Sequence, residues 1–423
     1  MKEGYDRGDK KLGNMIISEL RQNNTSRALF WSNFLSEPLF TLYGFLGFIL
    51  YKDLGASPLS ISLMMMLKPV VTVLSFYWSA GLKGRGRKLK SNALWAGIWM
   101  RLPFLFCPWI DEVWYVIAAA VNYMFWYRAG VPAWIEILKR NVKQGRRERV
   151  FSWSAGLAYG EGVILSLGMG ALLDQDPSLW KFLIFGAAVV GLMSLSLLSR
   201  VEVEEEAEEL ETKLSWKEVL VRPWRDSWNL MRTKPQFSVF QWGFMIAGLG
   251  IMIIQPTLPL FAVDWLGINY VEMATAVSVA KGLGFSLSSS IWARWFEKVP
   301  ILRVSSIVFI FFGLFPLFLA LSLWGSLWFY LAYFLYGIAQ GGSHLVWNLS
   351  GPTFAGKEDS SRYTGVGVVL AGLRGMVGPS LGGLIGFLWG PVQVLCIGGV
   401  LCFYSGIRLL RKPVGVSNLE PSS

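Results

Sequence analysis

Charged side chains interrupt several long apolar stretches of this sequence. In MMMLKPVVTV, residues 64–73, Lys68 stands in the middle of an otherwise apolar run. Six further charged residues lie in comparable surroundings: Glu37, Arg101, Arg128, Glu161, Lys281 and Arg374. In hydrocarbon, each such charge costs at least ~2.5 kcal/mol on insertion scales, so it persists mainly where a cavity or a charged partner receives it.

The set is basic overall. Its five bases and two acids leave about three uncompensated positive charges when all are ionised. A cavity with that lining favours an organic anion such as a carboxylate, a phosphate ester or a nucleotide-like solute. Lys68, Lys281 and Arg374 are candidate ligand contacts, and for each the alternative is an internal ion pair that fixes helix packing.

The two acids are candidates for proton transfer. Glu37 precedes Pro38, where a helix can bend, and Glu161 lies in a glycine-rich stretch. Desolvation raises the pKa of a carboxyl group and neighbouring cations lower it, so protonation can be coupled to access from one side. The alternative pairs Glu161 permanently with Arg128, or Glu37 with a lysine.

Uncharged polar residues form a second group. Gln340, His344, Trp347 and Asn348 share one helical face. Gln255, beside Pro256, is expected to face them, and Tyr43 is a candidate for a cavity wall. Amide and imidazole groups can hydrogen-bond a polar solute, or they can simply hold helices together. A structural role is the more common one for a single histidine.

Long apolar segments must position all these residues. Of 423 residues, 53% are hydrophobic and 16% are charged, which is too apolar for a soluble enzyme. Segments of about 20 residues, enough to cross a ~30 Å hydrocarbon core, recur along the chain and must be helical because lipid satisfies no backbone hydrogen bonds. We identify twelve: 29–51, 59–82, 92–110, 113–135, 153–173, 179–199, 238–263, 271–295, 301–323, 327–348, 364–388 and 392–409.

The net charge of +11 is explained by membrane topology rather than by nucleic-acid binding. Basic residues cluster in alternate loops, after the second and fourth segments and before the seventh. By the positive-inside rule, both termini and the central loop are predicted to be cytoplasmic, in a bacterial inner membrane. The three cysteines have no metal-ligand spacing, and we expect no disulfide, metal or cofactor.

The segments fall into two halves. The predicted parts are a cytoplasmic segment 1–28, a six-helix bundle 29–199, a linker 200–237, a second six-helix bundle 238–410 and a cytoplasmic tail 411–423. The linker can form an amphipathic helix on anionic headgroups, or it is a solvated connector. The halves repeat at a shift of roughly 212 residues. YKDLGASPLSISLMMMLKP aligns with FAVDWLGINYVEMATAVSVAKG, which pairs Asp53 with Asp264 and brings Lys68 within one residue of Lys281.

Two motifs resemble the major facilitator superfamily. SAGLKGRGRK, residues 79–88, is similar to its G-x-L-a-D-r-x-G-r-k gating signature at Gly86, Arg87 and Lys88, but Lys83 replaces the aspartate. In the second half, Glu297 stands near the aspartate position. GPSLGG, residues 378–383, resembles a motif of antiporters in this superfamily. That motif normally lies on helix 5, whereas GPSLGG lies on the repeat-related helix 11. A proline among small residues also has a structural explanation, because it lets helices approach and bend closely.

This resemblance implies an all-α membrane protein of 12 transmembrane helices in two pseudo-symmetric six-helix bundles. Helices 1, 4, 7 and 10 are then expected to line a central cavity. Arg128 on helix 4 stands where the superfamily's R-x-x-q-G signature has its arginine, but Pro132 replaces the glycine. Arg101 is expected to have a structural role on helix 3, which braces the bundle from outside. The residues expected to bind substrate are Lys68, Lys281, Arg374, Arg128, Gln255, Gln340, His344 and Tyr43.

The implied function is secondary transport of a small organic anion by alternating access, as a proton-coupled carrier or an exchanger. No catalytic motif and no nucleotide-binding loop is present, which argues against an enzyme and against self-powered pumping. One alternative is efflux of multiple lipophilic compounds by an antiporter. Another is a membrane sensor or lipid-handling protein. The expected partners are the substrate and membrane lipids, and the expected state is a monomer.

Overall fold

The computed structural model describes residues 24–80, 86–110, 112–142, 146–203, 216–356, 358 and 360–412. Within these ranges the chain forms helices and no β-strand, as expected where lipid leaves backbone groups to bond within each segment. The helices are α1 (Asn24–Lys52), α2 (Pro58–Ala80), α3 (Gly86–Arg101), α4 (Val113–Asn141), α5 (Arg146–Gln175), α6 (Trp180–Ser199), α7 (Trp216–Thr233), α8 (Pro235–Trp265), α9 (residues 270–298), α10 (Ile301–Leu321), α11 (Ser326–Ala355), α12 (Ser360–Trp389) and α13 (Pro391–Leu410).

A helix coincides with each of the twelve predicted apolar segments, and α7 lies in the predicted linker. By length and composition, seven of the described helical segments can cross a membrane. The all-helical fold is therefore confirmed, whereas the count of twelve membrane crossings stays a prediction.

Two helices change pitch along their length. In α8, regular turns end at Ile254 and are followed by a 3-10 turn, a short α turn and a π turn over Phe261–Trp265. Pro256 and Pro259 lack the amide hydrogen that an α-helix needs, which explains the irregularity. In α9, the π turns Thr275–Ala280 separate a short first turn from the regular helix that begins at Lys281. Such wide turns are frequent at functional sites.

The chain divides into two compact units. The first comprises Met1–Ile49 and Val71–Glu211, and the second comprises Leu50–Val70 and Thr212–Ser423. The turn between α1 and α2, with the first half of α2, therefore belongs to the same unit as the C-terminal helices. The domain boundaries inferred from the sequence remain a proposal.

The first unit has a core of small and branched side chains. Its described apolar cluster joins α1, α3, α4 and α6 through Ala28, Leu89, Ala93, Ala133, Ile137, Leu195, Leu198 and Val201. The small residues let the helices approach closely. An added Cβ at Gly97 would lie 2.5 Å from Cδ2 of Leu195, and one at Gly130 would lie 3.1 Å from Cβ of Ala96. Close packing through small residues is the usual basis of helix association in lipid.

Glycines also set the helix contacts of the second unit. An added Cβ at Gly284 would lie 2.1 Å from the carbonyl oxygen of Phe334, and one at Gly337 would lie 2.0 Å from that of Lys281. These two glycines hold α9 against α11. In the GPSLGG segment of α12, an added Cβ at Gly382 would lie 1.9 Å from the carbonyl oxygen of Ile253 on α8. The structural explanation of that motif thus has a physical basis.

We expect Gly337→Ala to destabilise the protein because its methyl group would overlap backbone atoms of α9. Overpacking of this kind costs about 1–3 kcal/mol, so the melting temperature of the purified protein in detergent should fall. Gly365→Ala is the matched control, since it also lies in a helix of the second unit and nothing lies within 4 Å of its added Cβ. Equal melting temperatures for the two variants would contradict this packing.

Candidate functional site

Two basic residues of the second unit lie inside its helices and have no acidic partner among the described residues. Lys281 begins the regular part of α9, and Arg374 lies in the middle of α12; both are partly buried. Ion pairs between described residues include Arg140–Glu136 at 3.0 Å and Lys234–Glu358 at 2.5 Å. Neither Lys281 nor Arg374 forms an ion pair with the described part of the chain, so the alternative of an internal pair is not observed for them there.

Arg374 is held by neutral groups of α8. Its Nη1 donates a hydrogen bond to the carbonyl oxygen of Phe244 at 2.7 Å, and its Cζ lies 4.4 Å from the centroid of the Phe244 ring. The Nε atom is buried and has no hydrogen-bond partner in the described structure. Gly248 provides the space, because an added Cβ there would lie 2.0 Å from Nη1. The carbonyl and the aromatic face attract the guanidinium but carry no net negative charge, so they do not neutralise it.

Lys68 stands on a segment that packs against α12. An added Cβ at Gly375 would lie 2.6 Å from Cγ of Pro69, so the neighbours of Lys68 and Arg374 are in contact. Two further contacts support this packing. The Ser62 hydroxyl donates to the carbonyl oxygen of Pro379, and Oγ of Ser380 lies 2.9 Å from the Met66 sulfur. Positions 68 and 374 therefore belong to one region of the second unit.

The predicted polar face of α11 is present. His344 packs edge-on against Phe285, one turn after Lys281, with ring centroids 6.3 Å apart. Nδ2 of Asn348 donates to the carbonyl oxygen of His344 at 2.8 Å. Gln340 is exposed on the same helix, and Gln255 lies, partly buried, in the 3-10 turn of α8. His344 thus connects the α9 region of Lys281 with α11.

The two acids meet in the first unit. An added Cβ at Gly162, next to Glu161, would lie 2.6 Å from Oε1 of Glu37, and the two carboxyl groups interact electrostatically. Oε2 of Glu161 is buried and has no hydrogen-bond partner among the described residues. Neither acid forms an ion pair with Arg128 in the described structure. Glu37 thus lies beside the helix turn that carries Glu161, and the ion pair with Arg128 considered as the alternative is not observed among the described residues.

The other predicted residues of the first unit are placed differently. Arg101 is 2% exposed, and it donates to the carbonyl oxygen of Gly97 at 2.8 Å and to Oγ of Ser36 at 2.7 Å. Tyr43 is buried with its ring centroid 4.7 Å from that of Tyr123. Arg128 is exposed, and its Cζ lies 5.9 Å from the centroid of the Tyr127 ring.

The gating signature is only partly visible. The backbone of Gly86, Arg87 and Lys88 forms the first turn of α3, and their side chains lie outside the described residues. Glu297 is exposed near the end of α9. The proposed pairing of these positions in gating therefore stays a prediction.

A crevice in the second unit includes residues that sequence reasoning missed. It lies between α8, α11 and α12 and is lined by Phe240, Gln241, Phe244, Trp347, Ser350, Thr364 and Gly367. Only Trp347 belonged to the predicted polar face. Gln241 is 1% exposed, and its Oε1 has no hydrogen-bond partner in the described structure. The sequence signal for Gln241 is a single amide side chain in the apolar stretch FSVFQWGF.

The duplicated turn carries a reciprocal pair of hydrogen bonds. Gly55 and Gly267 both adopt the left-handed conformation, with φ of 60° and 63°. The Tyr270 hydroxyl donates to Oδ2 of Asp53, and the Tyr51 hydroxyl donates to Oδ2 of Asp264. Lys52 lies 4.5 Å from the Tyr270 ring centroid. Each repeat thus contributes the acid that the other repeat's tyrosine binds, and we call these two bonds the tyrosine–aspartate latch.

Burial raises the pKa of Asp53 above its ordinary value, while the hydrogen bond from Tyr270 and the charge of Lys52 oppose that rise. The Tyr270 hydroxyl therefore stabilises the ionised carboxylate. The Tyr270 side chain is fully buried, whereas Asp264 is exposed. The two bonds of the tyrosine–aspartate latch should differ in strength for that reason.

We expect Tyr270→Phe to lower the melting temperature more than Tyr51→Phe. Removing a donor from a half-buried carboxylate costs about 1–3 kcal/mol, and removing one from an exposed carboxylate costs less. Because the lost bond stabilises ionised Asp53, the Tyr270→Phe defect should shrink as the pH falls and the carboxyl becomes protonated. Melting curves of both variants across pH test this. A pH-independent defect, or a larger one in Tyr51→Phe, would contradict the assignment.

This architecture matches a known protein family and solved structures of known proteins. A family model described as Major Facilitator Superfamily matches residues 29–379. No curated protein matches the sequence closely enough to count as a relative.

Solved structures with the same fold include three transporters. A POT family transporter in complex with 5-aminolevulinic acid has a TM-score of 0.70 at 14% identity, covering 91% of this chain and 95% of that chain. Peptide transporter POT in complex with sulfate has a TM-score of 0.71 at 12% identity, covering 92% and 94%. Nucleoside transporter NupG has a TM-score of 0.64 at 12% identity, covering 92% and 98%. At these identities the likeness shows the fold.

Proposed function

Because the chain belongs to the Major Facilitator Superfamily, we propose that it is a secondary transporter that moves a small organic anion across a membrane by alternating access. The family and its transporter neighbours indicate a transporter rather than an enzyme. The family and the apolar helices likewise indicate a multi-pass integral membrane protein. A bacterial inner membrane with both termini in the cytoplasm is part of the proposal and rests on the alternation of basic loops.

The proposal of an anionic substrate rests on one observation. Lys281 and Arg374 lie on α9 and α12 of the second unit, and neither is neutralised by a carboxylate in the described structure. A positive charge in a membrane helix is retained mainly where a partner or a water-filled cavity receives it. A transported anion supplies that partner. Lys68 joins these two in the proposed site because its segment packs on α12 beside Arg374.

The remaining substrate contacts of the proposal surround these bases. His344 lies on the helix that packs against the Lys281 turn, and Gln255 and Gln340 offer amide groups on neighbouring segments. Tyr43 and Arg128 lie in the first unit and complete the set. Two neighbours in the fold were solved in complex with sulfate and with 5-aminolevulinic acid.

The carboxyl pair Glu37 and Glu161 is the proposed proton carrier. A carboxyl group can accept a proton and release it again, so these two acids can carry a proton between the two sides of the membrane. Tyr123 interacts electrostatically with Glu37, and Arg101 interacts with Tyr123. Release of that proton is coupled to opening when one state of the transporter admits water to the pair.

The tyrosine–aspartate latch suits alternating access. Alternating access needs contacts that hold one end of the molecule closed and can be broken within a transport cycle. Two hydrogen bonds at the ends of α1 and α8 are modest in strength and repeat-related, which fits that requirement. The gating signature, which includes Arg87 and Glu297, is proposed to hold the opposite end closed in the other half of the cycle.

Lipid contacts and oligomeric state complete the proposal. Helix α7 exposes Trp224 and Trp228 together with Arg225 and Arg232. Tryptophan beside arginine suits the boundary of an anionic lipid surface, so we propose that α7 lies along it. The transporter is proposed to act as a monomer.

We expect Lys281→Met to abolish uptake of organic anions into proteoliposomes, because it removes charge while keeping an apolar stem. Lys68→Met should lower uptake in the same assay. Lys298→Met is the matched control, since Lys298 is exposed at the end of the same helix. Near wild-type melting temperatures would show that the protein still folds. Unchanged transport kinetics in both Lys281→Met and Lys68→Met would reject the anion site.

We expect Glu37→Gln and Glu161→Gln to flatten the pH dependence of transport. Each substitution removes one titrating group of the pair while keeping its shape, so a proton gradient should no longer drive accumulation. Exchange of substrate across the membrane without a gradient should persist. The assay is uptake at external pH values from 5 to 8. Glu112→Gln is the control, because Glu112 is exposed next to α4 of the same unit. A wild-type pH profile in both variants would remove these acids from the coupling mechanism.

A further inference from the structure

Helix α7 has an inner face and an outer face that differ in their surroundings. On the inner face, Leu230 is 8% exposed and belongs to an apolar cluster of the second unit, and Met231 packs against that cluster. The outer face carries two large rings that this packing does not use. Trp224 is 49% exposed, and Trp228, one turn later, is 63% exposed. Packing within the described unit therefore does not explain why two tryptophans stand there.

The outer face of α7 is also basic. Arg225 and Arg232 are exposed, and neither forms an ion pair with a described residue. At 3.6 residues per turn, these two arginines and the two tryptophans fall within a sector of about 100° around the helix axis. Tryptophan prefers the level of the lipid headgroups, and anionic headgroups attract arginine. The composition of this face thus fits the surface of a bilayer that contains anionic lipid.

One other candidate for covering this face lies within the chain. The acidic run EEEAEELE, residues 204–211, precedes α7 and lies outside the described residues. Its carboxylates match the charge of the two arginines, but Ala207 and Leu210 offer little apolar surface to two indole rings. A soluble phosphate likewise matches only the arginines. A phospholipid presents both a phosphate and acyl chains, so it matches the whole face.

The end of α7 is tied to α12, the helix that carries Arg374. Lys234 follows α7 directly, and its Nζ lies 2.5 Å from Oε1 of Glu358. The Tyr363 hydroxyl, near the start of α12, donates to Oε2 of the same carboxylate at 2.7 Å. Glu358 therefore joins the end of α7 to the start of α12, and a contact that fixes α7 acts on α12 as well.

From these features we propose that an anionic phospholipid binds the outer face of α7 and promotes transport. Arg225 and Arg232 bind its phosphate. Trp224 and Trp228 lie at the boundary between its headgroup and its acyl chains, and the bound lipid acts on α12 through Glu358. This inference rests on the proposed function, which places α7 along a lipid surface, and it adds the lipid class, the residues that bind the lipid and a regulatory role.

Binding is measured on the purified full-length protein in a neutral detergent, by the rise of the melting temperature as lipid is added. We expect phosphatidylglycerol to raise the melting temperature more than phosphatidylcholine does, and added salt to weaken the difference because exposed charges are screened. In the double variant Arg225→Gln/Arg232→Gln, the same rise should need roughly tenfold more phosphatidylglycerol. Trp224→Ala/Trp228→Ala should weaken the response to this lipid as well.

Arg411→Gln/Lys412→Gln is the matched control for the loss of charge. It removes two exposed bases that directly follow α13 in the same unit. We expect this control to respond to phosphatidylglycerol as the wild type does. An equal loss of response in the two double variants would show a general attraction to positive charge and would overturn the site on α7.

The regulatory role is measured by organic-anion uptake into phosphatidylcholine proteoliposomes with and without phosphatidylglycerol. We expect phosphatidylglycerol to increase uptake by the wild type and to leave uptake by Arg225→Gln/Arg232→Gln unchanged. Glu358→Gln should still be stabilised by phosphatidylglycerol but should lose the increase in uptake, because the charged link between Lys234 and α12 is broken. Stabilisation of the wild type without any increase in uptake would overturn the regulatory role.

Three further results would overturn the lipid site itself. The first is equal stabilisation by the two lipids. The second is inorganic phosphate that stabilises the wild type but not Arg225→Gln/Arg232→Gln, which would indicate a site for a soluble anion. The third is a melting temperature in lipid-free detergent that falls equally in Arg225→Gln/Arg232→Gln and in Glu204→Gln/Glu205→Gln/Glu206→Gln, which would identify the acidic run as the occupant.

The proposed function fails on a different result. Anion uptake that survives in both Lys281→Met and Lys68→Met would overturn the anion site, whereas the response of the melting temperature to phosphatidylglycerol would be unaffected. Loss of uptake in those variants, together with an unchanged response to phosphatidylglycerol in Arg225→Gln/Arg232→Gln, would overturn only the lipid site.

Discussion

Hydrocarbon forms no hydrogen bonds and solvates no charge, and the structure of this chain follows from that constraint. Backbone groups bond within their own helices, which leaves helices throughout the described residues. Polar side chains face the same requirement but cannot satisfy themselves. Arg101 donates to the Gly97 carbonyl and the Ser36 hydroxyl, and Arg374 donates to the Phe244 carbonyl. Nε of each arginine and Oε1 of Gln241 are buried and have no hydrogen-bond partner among the described residues.

Close packing determines where the unsatisfied groups stand. Gly284 and Gly337 hold α9 against α11 around Lys281, and Gly248 makes the space into which Arg374 extends. The glycines bring these helices into contact close to their backbones. Such contacts are rigid, because backbone atoms cannot move aside as a flexible side chain does. The π turns of α9 end directly before Lys281, and the proline-containing turns of α8 begin at Gln255. The second unit thus combines rigid glycine contacts with local departures from α-helical pitch at Gln255 and Lys281.

The apolar periodicity of the sequence predicted where helices lie, and the internal repeat predicted the paired turns at Gly55 and Gly267. Residues whose charge costs much free energy in lipid, such as Lys281, could be identified from the sequence because a charged residue is rare in an apolar segment. The tyrosine partners of Asp53 and Asp264 could not be found, since they are not repeat mates and only the fold brings them near. Gln241 was missed because one amide in an apolar helix is a weak signal until its burial is known. The exposure of Arg128 likewise depends on helix rotation, which sequence spacing does not determine.

The most direct test of the account is a thermal-shift comparison of the purified protein with organic anions, lipophilic cations and lipids. A ligand that binds only the folded protein stabilises it by about 2.7 kcal/mol at one hundred times its dissociation constant. The account predicts that organic anions raise the melting temperature and that rising salt concentration weakens the effect, since uncompensated positive charge attracts them. A rise with lipophilic cations and none with anions would contradict the central claim and favour an efflux antiporter. A rise with lipids alone would contradict it in favour of a lipid-handling protein.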